Sequence, residues 1–494
     1  MLTSLDFLKL GQKFPPATEV DRLEKYFTNK RIFEGEHELV YKENFKRIAR
    51  HIGNFEDIVS YSVITNFQKL ISLKIADFML GEEPTISCGD DNSKQQIAID
   101  KIKENNDLIN TCYSLAIDLS RYGDAVFNVY KDDEGKGIID ITQPSFYFKV
   151  VDLQNIRKVQ YHVLAHKYKK LKPNTLLNTL FNDENQYDDF LYAEIHSKGY
   201  VEKITYKLSK QGYIESVVEQ SEPIETGLDD FAIVPVHNLL TSDRVYGIDD
   251  YADLDSIISE LEVRISQIAK ILDKHAEPSM QGPETALQYN KNTGRYELKV
   301  GNYFPKSSKE DADVSYITWD AQLEASFKQI EKLINILAVI SEMGSAIFDF
   351  DNKLGTAASG TALKRMMISP LAKVNRVRMS VDNALKKAIK LCSQLGGEDI
   401  VDLSKEKINI FWNDGLPDDP KEEADIYNIR TGGKPTISQY SAIKRLDNLT
   451  DEDTQAELDA IQAEESVSNP MNNLNMFNDL DNQNSDDEGE ENEE

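Results

Sequence analysis

Two long helical patterns of nearly equal length constrain the fold of this chain more than any other feature. The first covers residues 251–275 and the second covers residues 320–348. At 1.5 Å per residue they span roughly 37 and 43 Å as α-helices. In the first helix, apolar residues recur at steps of three and four, which is the spacing of one helix face. These residues are Leu254, Ile257, Leu261, Ile265, Ile268 and Leu272. Such a matched pair predicts two antiparallel helices that carry a small domain at their far end.

The second helix carries two largely apolar rows on adjacent faces, with residues at steps of four and three. The first row consists of Leu323, Phe327, Ile330, Ile334, Leu337, Ser341 and Gly344. The second row consists of Leu333, Ile336, Ile340, Met343 and Ile347. Two rows indicate that the helix packs against more than one neighbour. The pattern by itself leaves open a central helix within one globular domain, whereas the matched lengths favour an extended helix pair.

The segment before this pair, up to about residue 250, predicts a mixed α/β domain. Helical spacing appears at 63–80 and at 108–123. Strand patterns lie at 125–143, as a hairpin that turns at 132–137, and at 159–168, 190–208 and 230–240. Between the two long helices, residues 286–304 predict a small β-rich insert with a hairpin turn at 292–294.

A stretch rich in glycine, alanine and aspartate, DFDNKLGTAASGTALKRMM at 349–367, separates the second long helix from a third. The third helical pattern covers 361–395, and Pro370 is expected to bend it. It is strongly basic, because eight of its residues are Lys or Arg and Asp382 is its only acidic residue. The basic residues are Lys364, Arg365, Lys373, Arg376, Arg378, Lys386, Lys387 and Lys390. A short strand at 408–412 and two further helices, up to about residue 465, complete the predicted order.

The charge of the chain is unevenly distributed. The formal net charge is -29 over 494 residues, and residues 451–494 contain sixteen acidic residues and no basic one. That leaves -13 for the first 450 residues. The acidic end has almost nothing to bury, so residues 466–494 are predicted to be a disordered, solvating tail. No run approaches the ~18 apolar residues of a membrane helix, and the first residues lack the pattern of a secretory signal.

Catalytic and metal-binding patterns are weak. Cys88, Cys112 and Cys392 are far apart and odd in number, which predicts a reduced, cytosolic setting without disulfides. His162 and His166 have zinc-like spacing but lie in a strand pattern, which favours structural roles. No nucleotide-binding or nucleophile motif occurs. The sequence therefore predicts a protein that is not an enzyme and has no cofactor or metal. The alternative hypothesis is a metal-dependent nucleic-acid enzyme that uses Asp349 and Asp351. A third hypothesis is a multimeric scaffold without a DNA channel.

Five segments, in the same order, resemble the portal proteins of tailed bacteriophages, of the siphophage type. They are VPVHNLLTSDRVYGIDDYADLDSIISELEVRISQIAK (234–270), GTAASGTALKRMM (355–367), INIFWNDGLPDDPKEEADI (408–426), GGKPTISQYSAI (432–443) and LTDEDTQAELDAIQAEE (449–465). They extend over about 230 residues, counted from 234 to 465. Before residue 230 only ISLKIADFMLGEEPTIS (71–87) is similar, and the acidic tail is not explained by the resemblance.

The resemblance implies an α+β portal fold and a specific division of the chain. Residues 1–250 would form an α/β wing, 251–276 and 320–348 the two stem helices, and 277–319 a small β-rich clip. Residues 349–358 would be the tunnel loop, 359–465 the inner wing and helical crown, and 466–494 the acidic tail. The implied assembly is a ring, typically of twelve subunits, at one vertex of the virion capsid. It would assemble in the host cytoplasm, without a membrane.

The resemblance also implies partners and site residues. Double-stranded DNA would pass through the ring without sequence specificity, and the ring would bind the terminase packaging motor, a head-tail connector or adaptor protein, and the major capsid and scaffolding proteins. The implied tunnel-loop residues are Asp349, Asp351, Asn352, Lys353, Gly355 and Thr356. The implied stem contacts between subunits are Phe327, Ile330, Ile334, Leu337, Ile340 and Gly344. The basic residues Lys364, Arg365, Lys373 and Arg376 would either face the channel or pair with acidic residues of neighbouring subunits.

Overall fold

The computed structural model describes residues 1–49, 62–90, 92–172, 187–276, 280–281, 287–291, 294–298, 315–316, 323–348, 365–413, 420–447 and 449–468. The chain divides into two compact units, Met1–Leu416 and Pro417–Glu494. The described residues combine α-helices with antiparallel sheets, which confirms the predicted α+β class. No helix among them is long and apolar enough to span a membrane.

The first unit contains most of the secondary structure. Its helices are α1 (Val20–Glu34), α2 (His37–Val40), α3 (Lys42–Ala49), α4 (Phe67–Leu80), α5 (Lys94–Asn105), α6 (Leu108–Tyr122), α7 (Asp255–Ala276), α8 (Leu323–Ile340) and α9 (Ile368–Leu395). Its strands are β1 (Thr85–Ser87), β2 (Asp124–Lys131), β3 (Gly137–Thr142), β4 (Tyr147–Val151), β5 (Val159–Leu171), β6 (Tyr187–Ser197), β7 (Tyr200–Leu208), β8 (Ile214–Gln220), β9 (Ile224–Glu225), β10 (Ile233–His237), β11 (Met280–Gln281), β12 (Leu287–Asn290), β13 (Arg295–Leu298), β14 (Ser315–Tyr316) and β15 (Asn409–Phe411).

A three-stranded antiparallel sheet in the order β10-β2-β3 lies in the main core of the first unit. The predicted hairpin is its β2–β3 pair, with Tyr130 opposite Ile138. Asp132 forms the turn, because its Oδ1 accepts hydrogen bonds from the amides of Glu134 at 3.1 Å and Lys136 at 2.7 Å. Such a carboxylate bond to the backbone two residues on is a common turn device. The turn is therefore encoded locally.

The larger sheet has the order β4-β5-β6-β7-β8, with β9 paired to β7. Alternate residues of its strands, such as Leu191 and Ala193 of β6, face a second core. The N-terminal residues cover this face, and the rings of Phe7 and Phe14 lie 6.0 and 5.2 Å from the ring of Phe148. The strand patterns in this region are thus confirmed, and the first residues of the chain serve as the cover of the sheet.

Helix α9 is the centre of the main core. Its buried row, with Val374, Val377, Val381 and Leu385 at steps of three and four, packs against β2, β3 and β10 and against α4 and α5. Arg378 lies in the same helix and is almost fully buried. Its Nη2 donates to the carbonyl oxygens of Phe78 at 2.6 Å and Met79 at 3.2 Å. These are carbonyls of the last turn of α4, which have no partner within their own helix.

Several predicted helix boundaries differ from the structure. Helix α4 begins at Phe67 instead of residue 63, and α7 begins at Asp255 instead of residue 251. The second long helix ends at Ile340 instead of residue 348, because Glu342 and Gly344 have left-handed φ angles of +61° and +72° and residues Ser345–Phe348 form a 3₁₀ turn. The predicted start of the basic helix at 361 lies outside the described residues. Residues 365 and 366 are helical, residue 367 is a turn, and α9 runs from Ile368 with Pro370 in its first turn, so the helical pattern is interrupted before Pro370 instead of being bent at it. A proline is tolerated there, since the missing N–H has no partner within the helix.

The number of helices predicted after the strand at 408–412 is also wrong, because the described residues of the second unit form three helices instead of two. They are α10 (Pro420–Thr431), α11 (Gln439–Leu446) and α12 (Asp451–Ser468). Ser438 begins α11, because its Oγ accepts from the amide of Ser441 at 3.2 Å. Thr450 begins α12 in the same way, with the amide of Asp453 at 3.2 Å. Both are typical N-cap residues.

In the region between the two long helices, the predicted hairpin is confirmed. Strands β12 and β13 pair antiparallel, with Asn290 opposite Arg295. A second short pair joins β11 to β14. Helices α7 and α8, on either side of this region, pack against each other.

Candidate functional site

The predicted tunnel-loop residues lie outside the described part of the chain, and so does Lys364. These loop residues are Asp349, Asp351, Asn352, Lys353, Gly355 and Thr356. The structure does describe the two ends between which this segment runs. One end is the turn after α8, up to Phe348, and the other is the start of α9. The geometry of these ends is the candidate functional site.

The turn after α8 is tightly held although it is not helical. Ser341 and Met343 are buried, while Glu342 between them has a left-handed φ angle of +61°. The hydroxyl of Ser369 donates to the carbonyl oxygen of Glu342 at 2.9 Å. The guanidinium of Arg376 donates to both carboxylate oxygens of Glu342, at 3.0 and 2.8 Å. Two residues of α9 therefore fix the point at which the chain leaves α8.

Lys373 connects this turn to the start of α7. The side chain is buried, at 5% exposure, and its Nζ donates to the carbonyl oxygen of Ser341 at 2.9 Å. The same Nζ lies 3.0 Å from Oδ1 of Asp250, whose side chain is 9% exposed, and this oxygen also accepts from the side-chain amide of Asn238 at 3.2 Å. A buried charge is costly unless it is paired and hydrogen-bonded. The ammonium of Lys373 thus joins the end of α8, the residues before α7, and α9.

The described cations of α9 bind acceptors within the same chain, and the two predicted roles of its basic residues, in the channel or between subunits, stay predictions. Lys373 and Arg376 bind Asp250 and Glu342 as given above. Lys386 lies 2.6 Å from Asp382, and Lys387 lies 2.6 Å from Asp230. The partners of Lys373, Arg376 and Lys387 are distant in sequence, so counting charges along the helix did not reveal them. Arg365, before the start of α9, is exposed.

The predicted stem contacts fall into two groups. Leu337 is fully buried, and Ile334 packs against the same main core of its own chain. Phe327 and Ile340 are exposed, at 54% and 43%. Ile330 is partly exposed, and Gly344 lies in the turn described above. Leu337 is therefore a core residue of the subunit in this structure, whereas Phe327 and Ile340 face outward.

Helix α8 exposes further apolar side chains that the contact prediction missed. Ile336 is 44% exposed and Val339 is 76% exposed. Together with Ile340 they form the outer row of α8, at steps of three and one. Ile336 belonged to the second predicted row, but Val339 matched neither row. The sequence does not show which row of α8 is buried. Only the packing of α8 on the main core shows which side of the helix stays exposed.

The histidines with zinc-like spacing have structural surroundings. Nδ1 of His162 lies 2.7 Å from the hydroxyl of Tyr147, and the ring of His166 lies 5.0 Å from that of Phe146. Burial, with the nearby charge of Lys149, lowers the pKa of His162 to about 3. Within the described residues, no group of three or more histidine, cysteine, aspartate or glutamate residues is placed to hold a metal ion.

Comparison with known proteins agrees with the resemblance seen in the sequence. The chain matches the family model described as "Phage portal protein, SPP1 Gp6-like" over residues 16–471. This match includes both long helices, the region between them and all of α9. Among curated proteins, none matches the chain. Because the family model covers most of its length, the chain belongs to the phage portal protein family.

Proposed function

We propose that the chain is one subunit of a ring at a single vertex of a phage capsid, and that double-stranded DNA enters and leaves through the centre of the ring. The observation that carries this proposal is the family match over residues 16–471. The portal family is structural rather than enzymatic, so the proposed role is that of a channel and docking platform. The ring is expected to contain twelve subunits.

The outer row of α8 supports a contact between subunits. Ile336, Val339 and Ile340 are exposed on a helix whose opposite side is already packed on the main core. Apolar side chains gain about 25 cal/mol for each Å² of surface removed from water. In the proposed ring, this row and Phe327 pack against the neighbouring subunit. Helices α7 and α8 then correspond to the stem and residues 277–319 to the clip.

The junction between α8 and α9 supports a positioning role. Lys373, Arg376 and Ser369 hold the turn after α8, from which the chain continues into residues 349–358. We place those residues in the channel as the tunnel loop. Asp349 and Asp351 outweigh Lys353 there, so the loop is weakly acidic. A collar of this kind suits a sliding duplex, because tight phosphate binding would slow it.

The remaining parts of the proposal concern partners and location. The ring would bind the terminase packaging motor during packaging and a head-tail connector protein afterwards, and it would contact the major capsid and scaffolding proteins at the vertex. Residues 359–465 would form the inner wing and crown. Residues 466–468 belong to α12. Residues 469–494 contain nine acidic residues, all from Asp479 onward, and no basic one, and they are proposed to remain a solvated tail.

The direct test is the mass of the purified protein under native conditions, together with averaged electron-microscope views. The expected result is a closed ring with an open centre and a mass near twelve times that of the 56.1 kDa chain. A compact monomer at micromolar concentration would contradict the proposal. A closed assembly without a central opening would favour a scaffold that has no DNA channel.

A further inference from the structure

One side of α7 carries a stripe of polar side chains where a core helix normally has apolar ones. The stripe consists of Asp255, Ser259, Glu262 and Ser266, at steps of four, three and four residues. Ser259, Glu262 and Ser266 are buried. Buried polar groups lower stability unless they are hydrogen-bonded. The partners of this stripe therefore decide how α7 is held in the subunit.

The N-terminal part of the chain supplies these partners. The hydroxyl of Tyr41 donates to Oδ1 of Asp255 at 2.8 Å. The side-chain amide of Asn44 donates to Oγ of Ser259 at 2.8 Å. The backbone amide of Val63 donates to Oγ of Ser266 at 2.9 Å. Helices α2 and α3 and the segment 62–66 are thus attached to α7 by polar contacts along the whole stripe.

Glu262 is the most heavily bonded residue of the stripe. Its Oε1 accepts from the amide of Thr65 at 2.9 Å, from the hydroxyl of Thr65 at 3.1 Å and from the amide of Asn66 at 3.4 Å. Nδ1 of His37 lies 2.9 Å from both carboxylate oxygens. Both His37 and Glu262 are 0% exposed. The pair is sealed from water.

The surroundings of the His37 ring determine how many protons the pair holds. Nε2 lies 2.9 Å from the carbonyl oxygen of Ile32, and Nδ1 faces the carboxylate of Glu262. A carbonyl oxygen and a carboxylate can only accept, whereas a neutral imidazole has one donor and one acceptor nitrogen. A neutral imidazole beside an ionised carboxylate therefore leaves one of these contacts without a hydrogen. All of the contacts are satisfied when His37 and Glu262 together hold one additional proton.

Among the other titratable groups around His37, Glu38 also favours this proton. Glu38 is the next residue of α2 and adds negative charge. The ring of Tyr41 lies 5.6 Å from the His37 ring, and its hydroxyl is bonded to Asp255. Burial opposes the charged ring, but the hydrogen bond and charge of Glu262 outweigh it, so the pKa of His37 is raised above 6.5.

We propose that His37 and Glu262 form a proton-controlled latch that holds α2 and the segment 62–66 against α7. The latch is closed when the pair holds its extra proton. When that proton leaves, one ring nitrogen faces an acceptor without a hydrogen, and a buried carboxylate loses its donor. The N-terminal contacts of the stripe are then released more often. The latch is a property of the single chain and does not depend on the proposed ring.

The direction of the pH effect follows from the raised pKa. Closing the latch binds a proton wherever the pH lies between the ordinary histidine value of 6.5 and the raised value in the folded chain. The contribution of the latch is therefore complete below pH 6.5 and is lost as the pH rises through the folded-state pKa. In this window, the open fraction is expected to increase by up to about tenfold per pH unit.

The test is hydrogen exchange of the full-length protein, measured by mass spectrometry on peptides that contain Thr65 and Asn66, between pH 6 and 9.5. Rates are corrected for the intrinsic effect of pH on exchange. In the wild type we expect protection at these amides to fall as the pH rises. In Glu262→Gln we expect no such slope, because the Gln oxygen still accepts from Thr65 and Asn66 while its amide donates to the neutral imidazole.

A control variant separates the latch from general alkaline destabilisation. His166→Gln removes another histidine, one whose ring packs against Phe146 and Tyr192. It should retain the wild-type slope at Thr65 and Asn66. Flat protection in the wild type would overturn the proposal whether or not any variant folds. A slope in Glu262→Gln equal to that of the wild type would also overturn it.

Discussion

The two long helices of the first unit are alike in sequence pattern but differ in how the subunit covers them. Helix α7 is covered on its polar stripe as well as on its apolar side, because residues of α2, α3 and 62–66 bind Asp255, Ser259, Glu262 and Ser266. Helix α8 has one side packed on the main core and leaves Ile336, Val339 and Ile340 exposed.

The difference lies in the polar stripe of α7 and the outer row of α8. The polar stripe of α7 is satisfied by its own subunit, although Leu272 near the end of the helix is 51% exposed. The outer row of α8 has apolar side chains without a cover in the single chain. We therefore propose that a neighbouring subunit binds this row and not the inner side of the same helix.

The largest expected effect tests the inner side of α8. Leu337→Asp places an unpaired charge in the main core, and we expect the free energy of unfolding to fall by about 4 kcal/mol or more. The measurement is denaturant unfolding followed by circular dichroism. Val339→Asp is the matched control, since Val339 lies in the same helix and is 76% exposed. Equal stability of the two variants would mean that Leu337 is not a core residue.

The next effect tests the joint between the two helices. Lys373→Met leaves the buried carboxylate of Asp250 without its cation, and the expected loss is about 3 kcal/mol. In the double variant Lys373→Met with Asp250→Asn the unpaired charge is gone, so part of the stability should return. The comparison uses melting temperatures at one protein concentration. A double variant less stable than the sum of the two single changes would contradict the pairing.

On the outer side of α8 we expect a smaller effect on folding stability and a clear effect on assembly. Ile340→Asp adds a charge at an exposed position, so the free energy of unfolding of the subunit should change by about 0.5 kcal/mol or less. Assembly should fail, because the charge would be buried against the neighbour. Native mass measurement of this variant and of Ile340→Val checks the prediction. Rings of normal size in Ile340→Asp would place the subunit contact elsewhere.

The smallest effect on stability is expected in the segment after α8. Replacing Asn352, Lys353 and Thr356 by Ala removes polar groups from the proposed tunnel loop and should change stability by less than about 0.5 kcal/mol per site. Rings should form, while DNA packaging or retention should change. Asp349→Lys with Asp351→Lys is the stronger variant, and its slowing of packaging should weaken as salt rises. Packaged DNA length against time, at two salt concentrations, decides between these outcomes.

Much of the local structure could be predicted because its causes are local. The β2–β3 hairpin follows from alternating strand residues and from Asp132 at the turn, and the β12–β13 hairpin is of the same kind. The presence of α7, α8 and α9 follows from apolar residues at steps of three and four. Helix ends were less predictable, since Glu342 adopts its left-handed conformation in a turn held by Ser369 and Arg376, which are distant in sequence.

The sequence by itself determined the α+β class, the order of the long helices and the membership of the portal family, because periodicity and ordered motifs are properties of neighbouring residues. Only the tertiary structure decided which row of α8 is buried and which residues satisfy the charges of α9. Lys373 pairs with Asp250, Arg376 with Glu342 and Lys387 with Asp230, although the two residues of each pair are far apart in sequence. Glu262 is not part of the apolar row of α7, and its burial against His37 is visible only in the tertiary structure. Such pairings depend on which surfaces the fold brings together, and no spacing along one helix contains that information.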